Sequence, residues 1–173
     1  MNLIDISFEL ATQLFPKETW TEEYKNVYVA KSRIPKNSEQ KAVFEKELIM
    51  AHIASDCGHI VYLLPELPTS KNADALMDGI LTEFKAITGG ENAISHRFRE
   101  ALHQGNNIYL KIDSMIKEKR IRQILHGVLK DKNCKDLVYC YINRKEKNVL
   151  LENDRFKINT ALTNQCHSVA SGW

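Results

Sequence analysis

The chain has 173 residues, 43% hydrophobic, 27% charged and 8% aromatic, the composition of a folded protein and not of a disordered, fibrous or low-complexity one. Lys and Arg number 24 against 22 Asp and Glu, a formal net charge of +2, too mild for composition alone to argue for a polyanionic partner. Four widely spaced cysteines, Cys57, Cys134, Cys140 and Cys166, include no Cys-x-x-Cys pair, which argues against a zinc ribbon or a dense disulfide framework, and no apolar run approaches the roughly 20 residues of a membrane span.

The opening Met-Asn-Leu-Ile-Asp-Ile-Ser lacks the positive n-region of a signal peptide. One compact domain is the expectation at this length. Leu3 to Phe15 reads as a short amphipathic helix, with Leu3, Ile6, Leu10 and Leu14 near helical spacing and Pro16 ending it. Asn26 to Ile34 reads as a strand closed by Pro35. Ser38 to Cys57 predicts a helix with Ser38 as N-cap, an apolar set of Val43, Phe44, Leu48, Ala51 and Ile53, and Gly58 just past its end. Glu47 sits beside that apolar set. His59 to Leu64 is a nearly continuous apolar run stopped by Pro65, the pattern of a buried strand, with His59 expected at its solvent-facing end.

Asp74 to Lys85 carries the most chemistry. Asp78-Gly79 tolerates the positive φ angles of a two-residue type I′ turn, and the apolar pairs Leu76-Met77 and Ile80-Leu81 flank it. With those two residues as the loop, Met77 pairs with Ile80, Leu76 with Leu81, Ala75 with Thr82, and Asp74 falls opposite Glu83. Directly opposed Cβ atoms lie roughly 4.5–5.5 Å apart, where two carboxylates repel one another and ask for a cation. Lys85, two residues beyond Glu83, shares its face while Phe84 points away. A divalent ion held by Asp74 and Glu83 would polarise a phosphoryl oxygen and acidify a bound water, with Lys85 placed to orient that water. The bare spacing also suits a solvated strand face.

Thr88-Gly89-Gly90 predicts a turn, followed by a helix from Asn92 to Gln104 with Ile94, Phe98, Ala101 and Leu102 as its buried stripe. Arg97 and Arg99 on its polar side are candidates for substrate phosphates. Asn107 to Ile112 reads as a strand and Met115 to Lys130 as a helix. The basic cluster of that helix, Lys117, Lys119, Arg120 and Arg122, is the best electrostatic candidate for following a nucleic-acid backbone, and equally suits a solvated face. Leu137 to Ile142 supplies a last core strand and Asn148 to Phe156 a short one. Ile158 to Trp173 has no trusted pattern, and Cys166-His167 lacks further ligands at metal spacing.

From about Glu47 to Asp113 these residues resemble the PD-(D/E)XK nuclease superfamily. Lys-Asn-Ala-Asp74-Ala-Leu-Met-Asp-Gly79 followed by Thr-Glu83-Phe-Lys85 looks like its core, with Ala73-Asp74 where Pro-Asp is usual. Within it the chain resembles the C-terminal tRNase-type toxin domain of contact-dependent growth-inhibition (CdiA-type) proteins and related polymorphic toxins. That resemblance also takes in Val61-Tyr62-Leu63-Leu64-Pro65-Glu66, and Asn92, Ile94, Arg99, Ala101, Gln104 and Asn107. It implies an α/β fold, a central mixed β-sheet flanked by helices in αβββαβ order as in restriction endonucleases, with residues 37–145 as nuclease core, 1–36 as an N-terminal extension or linker packed on it and 146–173 as a segment of uncertain structure. It implies Glu47 as a third metal ligand beside Asp74 and Glu83, and Gln104 at a helix end near the hairpin. The implied cofactor is a divalent metal ion, Mg²⁺ first and Zn²⁺ or Mn²⁺ as alternatives. The implied substrate is nucleic acid, tRNA favoured over DNA. A cognate immunity protein, action in the cytoplasm of a target cell and no membrane association follow. DNA cleavage, a metal-independent barnase-like RNase using His96 or His103 with Arg97, and a non-catalytic nucleic-acid-binding module remain open alternatives.

Overall fold

The computed structural model describes residues 3–66, 73–105, 107–131, 139–144 and 147–152. The chain divides into two units, Met1–Thr82 and Glu83–Trp173. Nothing in the composition near residue 82 announces that division, because it falls inside a strand.

The first unit holds α1 (Leu3–Leu14), β1 (Trp20–Tyr24), β2 (Val27–Ala30), α2 (Ser38–Asp56), β3 (Val61–Leu63), β4 (Ala75–Met77) and the start of β5 (Ile80–Thr88). Its strands lie in the order β1-β2-β3-β4-β5; β2 and β3 run parallel and the other neighbours antiparallel. A parallel pair needs a long crossover, and α2 provides it. The expected strand from Asn26 to Ile34 is shorter than predicted. Asn26 takes a positive φ of 56°, a conformation Asn tolerates better than most residues, and turns the chain from β1 into β2. Lys31–Arg33 then coils into one 3₁₀ turn. The strand β1 was not anticipated; its Thr-Glu-Glu stretch is exposed and carries no apolar alternation.

Val27, Val29, Val61, Leu63 and Ala75 are completely buried. On the other face Tyr62 stacks on Tyr28 at 4.6 Å and meets Trp20 edge-on at 5.2 Å. The N-cap of α2 is Asn37 and not Ser38, since the Asn37 side chain accepts from the Gln40 N–H at 2.9 Å. Gly58 follows the helix at φ 95° as expected of a C′ residue. The buried stripe matches prediction at Ala51 and differs from it elsewhere. Met50, Ala51 and Ala54 are buried whereas Val43 and Ile49 are exposed, so the inward face runs through positions 47, 50, 51 and 54 and includes Glu47. His59 is not solvent-facing; it is 8% exposed because its ring is tied to Asp78, as described below.

The second unit holds the rest of β5, α3 (Glu91–Leu102), β6 (Asn107–Asp113), α4 (Glu118–Asp131), β7 (Tyr139–Arg144) and β8 (Lys147–Glu152). β5, β6 and β7 are successive parallel neighbours and β8 joins β7 antiparallel; α3 and α4 are the crossovers. Ile94, Phe98 and Ala101 of α3 pack with Ile121, Leu125 and Val128 of α4 over Ile108, Leu110 and Ile112 of β6. The last helix begins at Glu118, later than predicted: Ser114 Oγ accepts from the Ile116 N–H at 3.2 Å, an ST-type turn that competes with helix and leaves Met115 exposed. Both units are mixed sheets with helices, the α/β class expected, and α2-β3-β4-β5-α3-β6 has the αβββαβ order. The end of the strand expected over Asn148 to Phe156 lies outside the described residues, as do Cys134, Cys166, His167 and the whole of 153–173.

Candidate functional site

The hairpin is built as its sequence predicts. Asp78 and Gly79 take φ of 52° and 81°, and Met77 pairs with Ile80, Leu76 with Leu81 and Ala75 with Thr82. Asp78 does more than turn the chain. Its Oδ1 accepts from the Ile60 N–H at 2.9 Å, its Oδ2 lies 2.6 Å from His59 Nδ1, and its own N–H donates to the Ile60 carbonyl at 2.9 Å. The turn is thereby fastened to the lead-in of β3. Leu10 of α1 sits over Gly79 closely enough that a Cβ there would meet it at 3.2 Å, so both the backbone angle and the space favour glycine. Asp74, half-buried, lies one residue before β4 and accepts from the Leu64 N–H through its carbonyl at 3.0 Å.

The first unit brings Glu47 and Asp74 into one acidic neighbourhood, to which it adds Glu66 and a cation that sequence reasoning missed, Arg33. The Arg33 side chain is 5% exposed; its Nη2 pairs with Glu47 Oε2 and its Nη1 stands 3.8 Å from Glu66 Oε1. Burial raises the Glu47 pKa above the usual carboxylate range; Arg33 opposes this by charge and hydrogen bond, while the Asp74 and Glu66 carboxylates add to it. Desolvation therefore outweighs the ion pair. Alongside runs a cleft of about 180 Å³ lined by Ser32, Arg33, Ile34, Lys36, Gln40, Phe44 and Glu66.

The second unit brings Glu83 and Lys85 together. The period of two along β5 puts them on one face, and Lys85 Nζ donates to Glu83 Oε1. Glu83 is 1% exposed while Phe84, on the opposite face, is also buried against Tyr109 at 5.5 Å. A carboxylate so buried in a strand is costly unless paired. The weaker candidates divide. Arg97 Nη1 donates to Glu100 Oε2 at 2.9 Å, and His96 stands 3.6 Å from the same residue's Oε1. Arg99 donates to Ser95 Oγ at 2.6 Å. Gln104 donates its backbone N–H to the Ala101 carbonyl at 2.9 Å, a helix-end bond. Arg120 grips Glu91 in a bidentate pair at 2.8 and 2.6 Å, which lowers the Glu91 pKa and raises that of Arg120. Arg122 is held by Glu118 at 2.9 Å. The basic cluster on α4 is thus partly neutralised, with Lys117 and Lys119 exposed.

Carboxylate oxygens suit a hard divalent ion such as Mg²⁺ better than a soft one, so the donors fit in kind. They do not form a ready cage. Among the described residues no group of three or more His, Cys, Asp or Glu side chains is placed to hold a metal ion; Glu47 is engaged by Arg33 and Glu83 by Lys85.

Known proteins offer two points of comparison. No curated protein matches the chain. Among solved structures, the CdiA-CT/CdiI toxin and immunity complex from Burkholderia pseudomallei matches with a TM-score of 0.51 and 18% identity, over 69% of this chain and 92% of that one; at that identity the likeness is one of fold. Residues 71–149, which contain the hairpin, the Glu83–Lys85 pair and the arginine-bearing helices, match the family model of the contact-dependent growth inhibition CdiA C-terminal domain.

Proposed function

We propose that this chain is a toxin domain of interbacterial competition that hydrolyses phosphodiester bonds with the help of a divalent metal ion, and that its substrate is RNA, tRNA in particular. The observation that carries the reading is the buried Glu83–Lys85 pair on β5, set beside a type I′ hairpin inside the stretch that matches the CdiA C-terminal domain. Nuclease action would place the domain in the cytoplasm of a target cell. Its producer would then need a cognate immunity protein, as the matched complex contains a toxin with its immunity protein.

Asp74 and Glu83 are the first residues that would hold the metal, with Glu47 as the third. A divalent ion supplies there a Lewis acid for the phosphoryl oxygen and a more acidic water. The chain's own contribution is charge and placement. Lys85, whose side chain is 21% exposed, is a compact point charge on a flexible stem, able to orient the attacking water or offset charge on the phosphoryl oxygens. Glu83 holds the Lys85 ammonium by their ion pair. Lys119 and the arginines of α3 and α4 serve as weak backbone contacts, positioning the strand without reading sequence.

Incubating the protein with total RNA and with plasmid DNA, each with Mg²⁺ and with chelator, tests this directly. Mg²⁺-dependent loss of tRNA is expected, abolished by Asp74→Ala or Lys85→Ala in protein whose circular dichroism is native. Full cleavage in chelator, or by either variant, would overturn the mechanism, and cleavage of the plasmid alone would overturn the substrate.

A further inference from the structure

The cleft of about 180 Å³ in the first unit is lined by hydrogen-bond donors, by acceptors and by one aromatic side chain. Ser32 and Arg33 come to it from the 3₁₀ turn after β2, where the Ile34 N–H donates to the Lys31 carbonyl at 3.3 Å. Gln40 and the half-buried Phe44 come from α2, four residues apart and so on one side of that helix. Gln40 Oε1 accepts from the Lys36 N–H at 3.1 Å, which leaves the Gln40 amide NH₂ as the group it offers a ligand, a donor. Glu66 offers two carboxylate oxygens, acceptors only, and Arg33 Nη1 stands 3.8 Å from one of them. The volume falls well below the roughly 300–1,000 Å³ of pockets that take drug-sized ligands, and suits one flat heterocycle.

The lining selects its ligand by charge and then by edge. Glu66 repels a bare phosphate, and Arg33 and Lys36 repel a cation, so the occupant is uncharged and carries both donors and acceptors. Unpaired RNA bases are such groups, and proteins hold them by stacking on aromatic side chains and by hydrogen bonds to their Watson–Crick edges. Two carboxylate oxygens ask for two neighbouring donors. Guanine alone among the four RNA bases has them, N1–H beside the N2 amino group, with the O6 acceptor next in line for a donor such as Gln40; adenine and cytosine set an acceptor nitrogen beside their amino group, and uracil has one N–H between two carbonyls. We propose that this cleft takes one unpaired guanine of an RNA strand, its ring against Phe44, its N1–H and N2 amino edge on Glu66 and its O6 on Gln40. The inference rests on the reading that the substrate is RNA and names the base by which the strand is held. Lys36, exposed, would meet a phosphate beside that base. Arg33 lines the cleft and pairs with Glu47 through its other terminal nitrogen, so a base seated there sets the register of the strand beside Glu47.

The test is fluorescence anisotropy of labelled tRNA and of short labelled oligouridylates that carry one guanine, adenine or cytosine, in chelator so that binding is read apart from cleavage. The full chain is used as wild type, Glu66→Gln, Phe44→Ala, Phe44→Tyr and Lys36→Ala. The guanine oligomer should bind wild type about five- to a hundredfold more tightly than the others, the span of one good bidentate contact to a base. Glu66→Gln should erase that preference and leave the other oligomers as they were. Phe44→Ala should weaken the guanine oligomer by about the same factor through lost stacking, whereas Phe44→Tyr should not. Lys36→Ala should weaken all oligomers alike and reduce the slope of log affinity against log salt by about 0.7. Unlabelled GMP should compete less well than the unlabelled guanine oligomer, which has further phosphates; equal competition would make the ligand a free nucleotide and overturn its assignment to a strand. If tRNA binds but all oligomers bind alike, or if the guanine preference survives Glu66→Gln, the role of the cleft is overturned and the RNA reading stands. If neither tRNA nor any oligomer binds, the RNA reading falls and the cleft with it. Should Phe44→Ala fail to fold, Glu66→Gln decides the matter, because it alters an exposed side chain.

Discussion

Asp78 is the residue on which the hairpin can be tested most sharply, because three separate contributions meet there. The first is its backbone: at φ 52° most side chains pay roughly 1–2 kcal/mol for left-handed geometry, a cost that Asn and Asp largely escape and Gly escapes altogether. The second is the Oδ1 bond to the N–H of Ile60, which is 5% exposed; a buried donor left without its acceptor costs about 1–3 kcal/mol. The third is the contact from Oδ2 to His59 Nδ1, worth roughly 1 kcal/mol if counted as an ordinary hydrogen bond. Asp78→Asn keeps the first two and disturbs the third, for a loss of about 1 kcal/mol. Asp78→Gly keeps only the first, and should cost about 2–4 kcal/mol. Asp78→Ala loses all three, about 3–6 kcal/mol in total. Urea unfolding followed by tryptophan fluorescence, with the slope checked for constancy, should rank wild type above Asn, Gly and Ala in that order. If Ala is no worse than Asn, the side-chain bonds to β3 carry no stability. If Gly matches wild type, the turn alone holds the hairpin and the fastening to Ile60 and His59 is idle.

Two further outcomes follow from other parts of the chain. Glu91→Gln should release Arg120 from its bidentate partner, adding one phosphate contact; the slope of log affinity against log salt for RNA should then steepen by about 0.7, the single-strand increment per phosphate, and an unchanged slope would remove Arg120 from the interface. Tyr62 has its pKa raised from 10.0 to about 12, by burial first and then by Tyr28 and Glu22. Because the folded value is the higher one, the stability tied to its neutral phenol is complete below about pH 10 and is lost as the pH rises towards 12. Tyr62→Phe should therefore lose less stability than wild type between those two pH values, measured as the drop in urea midpoint.

The hairpin and its ion pair were legible in the sequence because both are local. Asp-Gly chooses the turn through φ alone, the turn sets the register, and a period of two then brings Glu83 and Lys85 to one face. Helices α1 and α3 were legible for a similar reason, as apolar spacing closed by Pro16 or Gly105. What escaped depends on partners far along the chain. Arg33 looked like the end of a Val-rich strand; only its contact with Glu47, fourteen residues away, makes it part of a site. His59 looked like a solvent-facing strand end until Asp78, nineteen residues on, drew it inward. The basic run on α4 read as a free electrostatic surface, whereas Glu91 on α3 holds its Arg120 from twenty-nine residues away. Burial on α2 was misread at Val43, which shares the 47, 50, 51, 54 face but is exposed one turn before it, while Phe44 and Leu48 are only half-buried; composition does not tell how far along a helix its contact with a sheet reaches.

Both units share one chemical arrangement, a buried or half-buried carboxylate held by a basic side chain, and the difference between the two cations separates their roles. Buried ion pairs seldom repay their own desolvation, and apolar residues of similar volume often serve stability as well or better. Glu83 is 1% exposed in a strand whose neighbours are apolar, so stability alone is a poor reason for a charge at that position, and chemistry at the carboxylate is a better one. Lys85 presents a flexible point charge whose side chain is 21% exposed, which suits a group that must meet a substrate oxygen. Arg33, 5% exposed and always charged, suits a group that must balance carboxylates when nothing else does. A lysine at position 33 would hold Glu47 less rigidly, and an arginine at position 85 would exchange a compact, mobile ammonium for a larger planar fork. The pairing of each cation with its place is thus the pattern expected if Lys85 acts on the reaction and Arg33 balances the carboxylates of the first unit.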